Sequence, residues 1–272
     1  MAAAMLTLTS CGFDYDGQID NQVILNFTPL AYESMETKAT VQISEVSNYL
    51  DVWLIDGETI LEAHQSKAAD ATTFGSIPFT LNKTKTYTVV AVAHKGNGAA
   101  TLEESVISFP DNKITETFFY TGAYCPGTGG TTPSFGMTRN VGMFKLTFTD
   151  ALPAALEKVQ FTVTGSGLGY NIAGYSTNVG DKTSVINNPS SSNDGTTSFK
   201  IYCLADGEAS TISVTVTAYG DEDAVIETKT FEDVPLRAGY IASYRGTFFV
   251  TTAATAGFTA DDAWENYEQE SF

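Results

Sequence analysis

The chain has 272 residues, 43% of them hydrophobic and 12% aromatic, enough to bury one large core or two of about 100–150 residues each. Thirty-two acidic residues against fourteen basic ones give a net charge of −18, a field that repels phosphate backbones and excludes nucleic acid as a partner. No apolar run approaches the roughly 18 residues that a membrane-crossing helix needs.

The first twenty residues read as a processing segment and tether. Leu8-Thr9-Ser10-Cys11 sets a large aliphatic residue three places before a cysteine, with two small residues between. This is the pattern of a lipobox, in which the thiol is acylated and a small-residue cleft then admits the peptide for cleavage, leaving Cys11 as a lipidated N-terminus. The preceding "MAAAMLT" has the apolar character of the end of a signal peptide but lacks the basic start. Acyl chains on Cys11 would hold the body at a membrane without a spanning helix. Asp14, Asp16 and Asp20 follow, interleaved with Tyr15, Gly17 and Gln18.

Beyond residue 20, alternation of apolar and polar residues replaces helical periodicity. "QVILNFT" (22–28), "ATVQISEV" (39–46) and "YLDVWLID" (49–56) carry the β-branched and aromatic content of strands. "SIPFTL", "YTVVAVAH", "ESVISF" and "ITETFFY" continue the series, separated by turns such as "DGE", "NKTK", "KGNG" and "PDNK". The Gly/Pro/Thr-rich "CPGTGGTTPSFG" (125–136) marks a domain boundary, after which "GMFKLTF", "KVQFTVTG", "SFKIYCL", "TISVTVTAYG", "VIETKTF" and "YIASYRGTFF" resume the alternation. A polar stretch rich in Gly, Ser and Asn (165–197) reads as long surface loops.

The pattern predicts an all-β protein of two tandem antiparallel β-sandwiches. Its parts are a leader end and tether (1–20), an N-terminal sandwich (21–124), a linker (125–137), a C-terminal sandwich (138–250) and an acidic tail or appended strand (251–272). An internal repeat supports the division: residues 86–120 parallel 211–249, each beginning with a long alternating strand and ending in a double Phe. In that alignment "ESVISF" matches "VIETKTF", and "ITETFFY" matches "YIASYRGTFF".

Residues suited to catalysis are sparse. The only two histidines, His64 and His94, stand in no metal-binding spacing, and Cys-x-x-Cys and Gly-x-Ser-x-Gly are absent. "CPGTGGTTP" lacks the Lys-Ser/Thr that a phosphate loop requires. The expectation is a non-enzyme with no cofactor and no metal. Of the three cysteines, Cys203 lies in an apolar strand and Cys125 opens a loop; a Cys125–Cys203 bridge is permitted but not demanded.

At "FEDVPLRAGYIASYRGTFF" (231–249) the sequence resembles the fimbrillin-like lipoproteins of Bacteroidales, the subunits of type V pili. Val234-Pro235-Leu236-Arg237, Tyr240 and Arg245-Gly246 fill the places of that superfamily's closing strand, and "RNVGMFKLTF" (139–148) looks like the strand opening its C-terminal domain. The acids behind Cys11 resemble, loosely, the surface-display signal of Bacteroidota lipoproteins; a solvated tether would look the same. The resemblance implies two transthyretin-like domains in a surface fimbrial component, bound to the outer membrane through Cys11. It implies other fimbrial subunits as partners, with a host or bacterial surface glycan or protein as a further one. In stalk members a protease removes the first strand and a neighbour's strand fills the groove. The strand at issue here carries Val23, Ile24, Leu25 and Phe27. The chain departs from the pattern in having no arginine before Arg139, so the candidate cleavage site between the first two strand segments is Lys38. The acidic C-terminus is also a poor apolar donor, which leaves anchor, tip and accessory positions open beside the stalk.

A second reading is a surface glycan-binding lipoprotein that stacks sugar on exposed aromatics. Tyr170, Tyr175 and Trp264 are its candidates, whereas Trp53, set between apolar residues of a strong strand, is expected in the core.

Overall fold

The computed structural model describes residues 20–29, 42–173, 176–177, 180–205, 210–249 and 258–260. The first domain is built from β1 (Asp20–Pro29), the short helix α1 (Ile43–Val46), β2 (Tyr49–Asp56), β3 (Thr59–Ser66), β4 (Ser76–Asn82), β5 (Tyr87–His94), β6 (Thr101–Glu103), β7 (Val106–Ser108), β8 (Thr117–Tyr124) and β9 (Ser134–Arg139). The second contains β10 (Val141–Phe148), β11 (Lys158–Ser166), β12 (Gly169–Asn171), β13 (Ser176–Thr177), β14 (Gly180–Asn187), β15 (Thr197–Leu204), β16 (Ser210–Tyr219), β17 (Val225–Leu236), β18 (Ile241–Gly246) and β19 (Phe258–Ala260). The all-β expectation is met. One segment differs: "ATVQISEV" forms no strand over its described part, because Ile43 and Val46 fall three apart and turn into the core as the single turn α1.

Seven strands of the first domain form one sheet in the order β3-β2-β5-β8-β9-β1-β4. Strands β8 and β9 pair at only two positions, Phe118 with Arg139 and Phe119 with Thr138. There the sheet folds over into two layers, β3-β2-β5-β8 and β9-β1-β4, with Leu50, Val52 and Leu54 of one facing Val23, Leu25 and Phe27 of the other in a common core. In the second domain β14-β11-β16-β17 faces β15-β10-β18-β19 across a core that includes Phe144, Phe148, Phe161 and Phe248.

The two domains share a topology. Strand β10 lies between β15 and β18 as β1 lies between β4 and β9, and β14-β11-β16-β17 matches β3-β2-β5-β8. All described strand pairings are antiparallel except β1 with β9 and β10 with β18. Each domain thus pairs its first strand parallel to its last major one. The sequence repeat aligned β5 with β16 as the topology does, but matched the next strands out of step. The cause is a hairpin, β6–β7, inserted between β5 and β8, which displaces the true counterpart of β17 from "ESVISF" to "ITETFFY".

The second domain carries its own insertion, β12–β13, between β11 and β14. The two insertions meet: β7 pairs with β12, Ile107 opposite Tyr170, to give a four-stranded sheet β13-β12-β7-β6 that bridges the domains. Gly169 permits this approach, since a Cβ there would stand 2.7 Å from the Ile107 carbonyl oxygen. Around the bridge lies a third core in which Trp53, Val92 and Ile107 of the first domain pack with Val141, Tyr170 and Leu204 of the second. The segment expected as a linker, 125–137, is therefore only partly one: from Ser134 it runs as β9 in the first domain's sheet, and Asn140 alone separates β9 from β10.

Candidate functional site

The slot occupied by β1 is the site that the sequence singles out. Alternation along "QVILNFT" turns Val23, Leu25 and Phe27 inward, each at most 1% exposed, and leaves Ile24 44% exposed on the outer face. On one side β1 pairs antiparallel with β4 from Asp20–Asn82 to Asn26–Ser76; on the other it pairs parallel with β9 from Asn26–Ser134 to Pro29–Met137. Further main-chain bonds tie it down: Ile24 N–H donates to the Thr131 carbonyl (2.8 Å), Asn26 N–H to Pro133 (3.0 Å) and Phe27 N–H to Gly75 (2.8 Å). The Asn26 side-chain oxygen accepts from the Ser76 hydroxyl at 2.8 Å. Phe27 stacks on Phe135 of β9, ring centroids 5.4 Å apart.

Burying one Val, one Leu and one Phe contributes roughly 5–8 kcal/mol, as an upper estimate. That is comparable with the whole stability of a typical domain, about 5–15 kcal/mol. Without β1, β4 and β9 would each expose a row of unpaired backbone groups beside an open core. Pro78, opposite Ile24 on β4, lies in the outermost strand of the sheet, where a missing N–H is tolerated. The slot thus requires an extended segment with apolar residues at alternate positions.

The motif that carries the family resemblance closes the second domain. Val234 and Leu236 are buried, and Arg237 lies over the Tyr240 ring at 4.3 Å. The turn then places β18 parallel to β10, with Arg245 and Gly246 opposite Thr147 and Phe148. Asp150 receives the Phe248 N–H on both oxygens, 3.0 and 3.1 Å, and so fixes the double Phe, with Phe248 stacked on Phe148 at 4.4 Å. Strand β19 lies along the outer side of β18, Phe258 opposite Gly246.

The glycan-stacking candidates fare differently. Tyr170 is buried, 5% exposed, because β12 is drawn into the bridging sheet, where its ring packs on Phe119 at 5.0 Å. It is therefore no exposed platform, contrary to the expectation from the loop-like composition of 165–197. Its hydroxyl donates to the Asn140 amide oxygen at 2.8 Å, and both residues line a cleft of about 480 Å³ together with Thr121, Gly136 and Thr138. Trp53 lies in the core, 0% exposed. Cys11, Lys38, Tyr175 and Trp264 lie outside the described residues. Cys203 is a buried free thiol, so no bridge joins it to Cys125; burial pushes its pKa up.

One cluster escaped the sequence reading. Asp51 of β2, fully buried, accepts from His64 Nδ1 at 2.7 Å, His94 Nε2 at 3.2 Å and the Ala100 N–H at 2.9 Å. Both histidines of the chain thus share one carboxylate. Burial alone would raise the Asp51 pKa, but these donors outweigh it and hold the group below its ordinary value. The signal was available: an aspartate in the apolar run "YLDVWLID" must find donors if the strand is covered on both faces. Among the described residues no group of three or more His, Cys, Asp or Glu is arranged to hold a metal ion.

No protein-family model matches the chain, and no curated protein matches it. Solved structures do. A candidate adhesin of Bacteroides ovatus superposes with a TM-score of 0.55 at 12% identity, covering 92% of this chain and 100% of the other. A candidate polysaccharide-binding protein of Bacteroides thetaiotaomicron gives 0.55 at 10% identity, covering 88% and 95%. The fimbrial anchor protein Mfa2 of Porphyromonas gingivalis gives 0.45 at 13% identity, covering 88% and 95%; the fold comparison rests on the first two. The chain thus has the fold of these Bacteroides proteins along nearly its whole length.

Proposed function

We propose that the protein is a non-enzymatic structural or adhesive component of cell-surface fimbriae. It is exported as a lipoprotein, anchored in the outer membrane through an acylated Cys11, and assembled with other fimbrial subunits by strand donation into the slot of β1. The observation that carries this reading is the contrast between two equivalent strands. Strand β10 is joined to β9 through Asn140 alone and cannot leave its sheet without unfolding the domain junction. Strand β1 holds the same topological place, yet it is the first strand of its domain and is connected forward through residues 30–41, which include Lys38. A single cut there would free it. The likeness in fold to a candidate adhesin supports the surface and adhesive part of the reading.

Intact-mass and N-terminal analysis of protein from native outer membranes and from sheared surface fibres tests it. The expected result is a membrane-bound form acylated at Cys11 and a fibre form beginning near Ala39. Chains that all retain an acylated Cys11 and β1 would rule out polymerisation through this slot.

A second reading, a surface glycan-binding lipoprotein, is favoured by the cleft beside Tyr170 and by the fold shared with a candidate polysaccharide-binding protein. With Tyr170 buried, stacking would fall to Tyr175 and Trp264. Saccharide binding by the intact lipoprotein that is lost on substituting these two would decide for it.

A further inference from the structure

Asp51 sits on the face of the first domain's sheet that is turned toward the second domain, and its three donors come from three different elements. His64 belongs to β3, His94 ends β5, and Ala100 opens the excursion that carries the β6–β7 hairpin. That hairpin is the part of the first domain that pairs with the second. The grip is firm: Ala100 is 1% exposed, Ile107 0% and Phe109 4%. Phe109 packs edge-on against His94 at 5.2 Å, and Trp53 edge-on against His64 at 6.1 Å.

The two histidines play different parts. The Gly96 N–H donates to His94 Nδ1 at 3.1 Å, so that nitrogen is an acceptor and Nε2 carries the hydrogen given to Asp51. His94, 0% exposed, is a neutral, fixed support. His64 is open to solvent on one side, its Nε2 lying 3.8 Å from the exposed Glu62 carboxylate. Asp51 and Glu62 are the charged groups that face His64, and the two histidines are the titratable groups that face Asp51.

We propose that Asp51 is the post from which the β6–β7 hairpin couples the two domains, and that protonation of His64 sets how firmly the coupling holds. With His64 charged, the buried carboxylate has an opposite charge at hydrogen-bond distance. With His64 neutral, Asp51 keeps three donors but no counter-charge, and a buried carboxylate without one favours any local opening that admits water. The opening at hand is the lifting of the Ala100–Phe109 segment, which frees β7 from β12. The hydrogen bond that His64 donates to Asp51, together with the Coulomb pull of Asp51 and Glu62, raises the His64 pKa above 6.5, although partial burial opposes this. The sign follows: the stabilisation is complete below that ordinary value and is lost as pH rises through the raised folded value. Mild acid therefore stiffens the two-domain body and mild alkali loosens it.

Hydrogen exchange followed by mass spectrometry on the full chain at pH 5.5, 7 and 8.5, corrected for intrinsic rates, tests the proposal. Peptides spanning 97–110 and 167–173 should open on the order of three- to tenfold more often at pH 8.5 than at pH 5.5, one pKa unit corresponding to tenfold in an equilibrium. His64→Gln keeps an N–H donor toward Asp51 but does not titrate, and should make opening of both peptides independent of pH. Opening of the wild-type hairpin that does not change with pH overturns the proposal, as does a pH dependence that persists in His64→Gln. Should that variant fail to fold, the wild type alone still decides. The midpoint of the NMR titration curve of the His64 imidazole must coincide with that of hairpin opening. A mismatch overturns the proposal.

Discussion

A methyl group on Gly142 would stand 2.6 Å from Leu236 Cδ1 and 2.7 Å from the Arg237 carbonyl oxygen. Gly142 lies in β10, Leu236 ends β17 and Arg237 follows it, where the chain turns to run parallel to β10 as β18. The glycine of "RNVGMFKLTF" and the basic residue of "VPLR" are thus two sides of one contact. The leucine side chain can yield, but the carbonyl is backbone and its turn is held by the bond from the Gly239 N–H to the Val141 carbonyl at 2.9 Å. Gly142→Ala should therefore cost about 1–3 kcal/mol, the usual range for overpacking a filled core. A lowered denaturant midpoint with an unchanged slope is the expected result; a midpoint equal to wild type would mean that the turn shifts freely.

Within β1, neighbouring residues should differ sharply. Leu25→Ala opens a cavity in the first domain's core and should cost about 2–5 kcal/mol, whereas Ile24→Ala, on the outer face, should stay within about 0.5 kcal/mol. Urea unfolding of the full chain measures both. Limited proteolysis adds a functional readout: Leu25→Ala should speed digestion of the first domain, and a synthetic peptide carrying residues 20–29 should restore protection. Equal costs at positions 24 and 25 would mean that β1 does not fill the slot as described.

The sequence made the strands legible because each buries alternate residues, but it took Val23, Ile24, Leu25 and Phe27 together, and the structure turns Ile24 outward while the other three face the core. It made the second domain's closing motif legible because Leu236, Arg237 and Gly142 meet in space. The bridge between the domains was not legible. Strands β6, β7 and β12 are three residues each, too short to show alternation, and "SGLGYN" has the composition of a loop until it pairs with "VIS". That pairing buries Tyr170, which loop composition placed at the surface. The Asp51 cluster was missed for a related reason. His64 and His94 are thirty residues apart, and only the adjacency of β3, β2 and β5 brings both to one carboxylate.

Cys203 is 0% exposed and its thiol pKa is raised by burial, against the opposing influence of Lys182 and Ser166. The thiolate is the reactive form, so alkylation of native protein at pH 8 should leave Cys203 unmodified while unfolded protein reacts fully. Peptide mass mapping after a pulse of iodoacetamide checks this. Labelling of Cys203 at a rate independent of denaturant would place it in a more open environment than the second domain's core allows.

Lys182 is 3% exposed, and its ammonium donates to the Ile114 carbonyl of the first domain at 3.4 Å and to the Tyr202 carbonyl of the second. Desolvation by burial lowers its pKa, the nearby Cys203 partly opposes this, and Lys113 adds to it. The unfolded chain therefore binds the proton more tightly than the folded one does. Folding carries a penalty that is full below the lowered pKa and is relieved as pH rises through it toward the ordinary value near 10.5. Lys182→Met fills the same space without a charge but leaves two carbonyls short of a donor. Measured by urea unfolding at pH 7.5, 9 and 10, the stability of wild type relative to Lys182→Met should climb steadily with pH. A difference that stays constant would mean that the lysine keeps its ordinary pKa, with water reaching it between the domains.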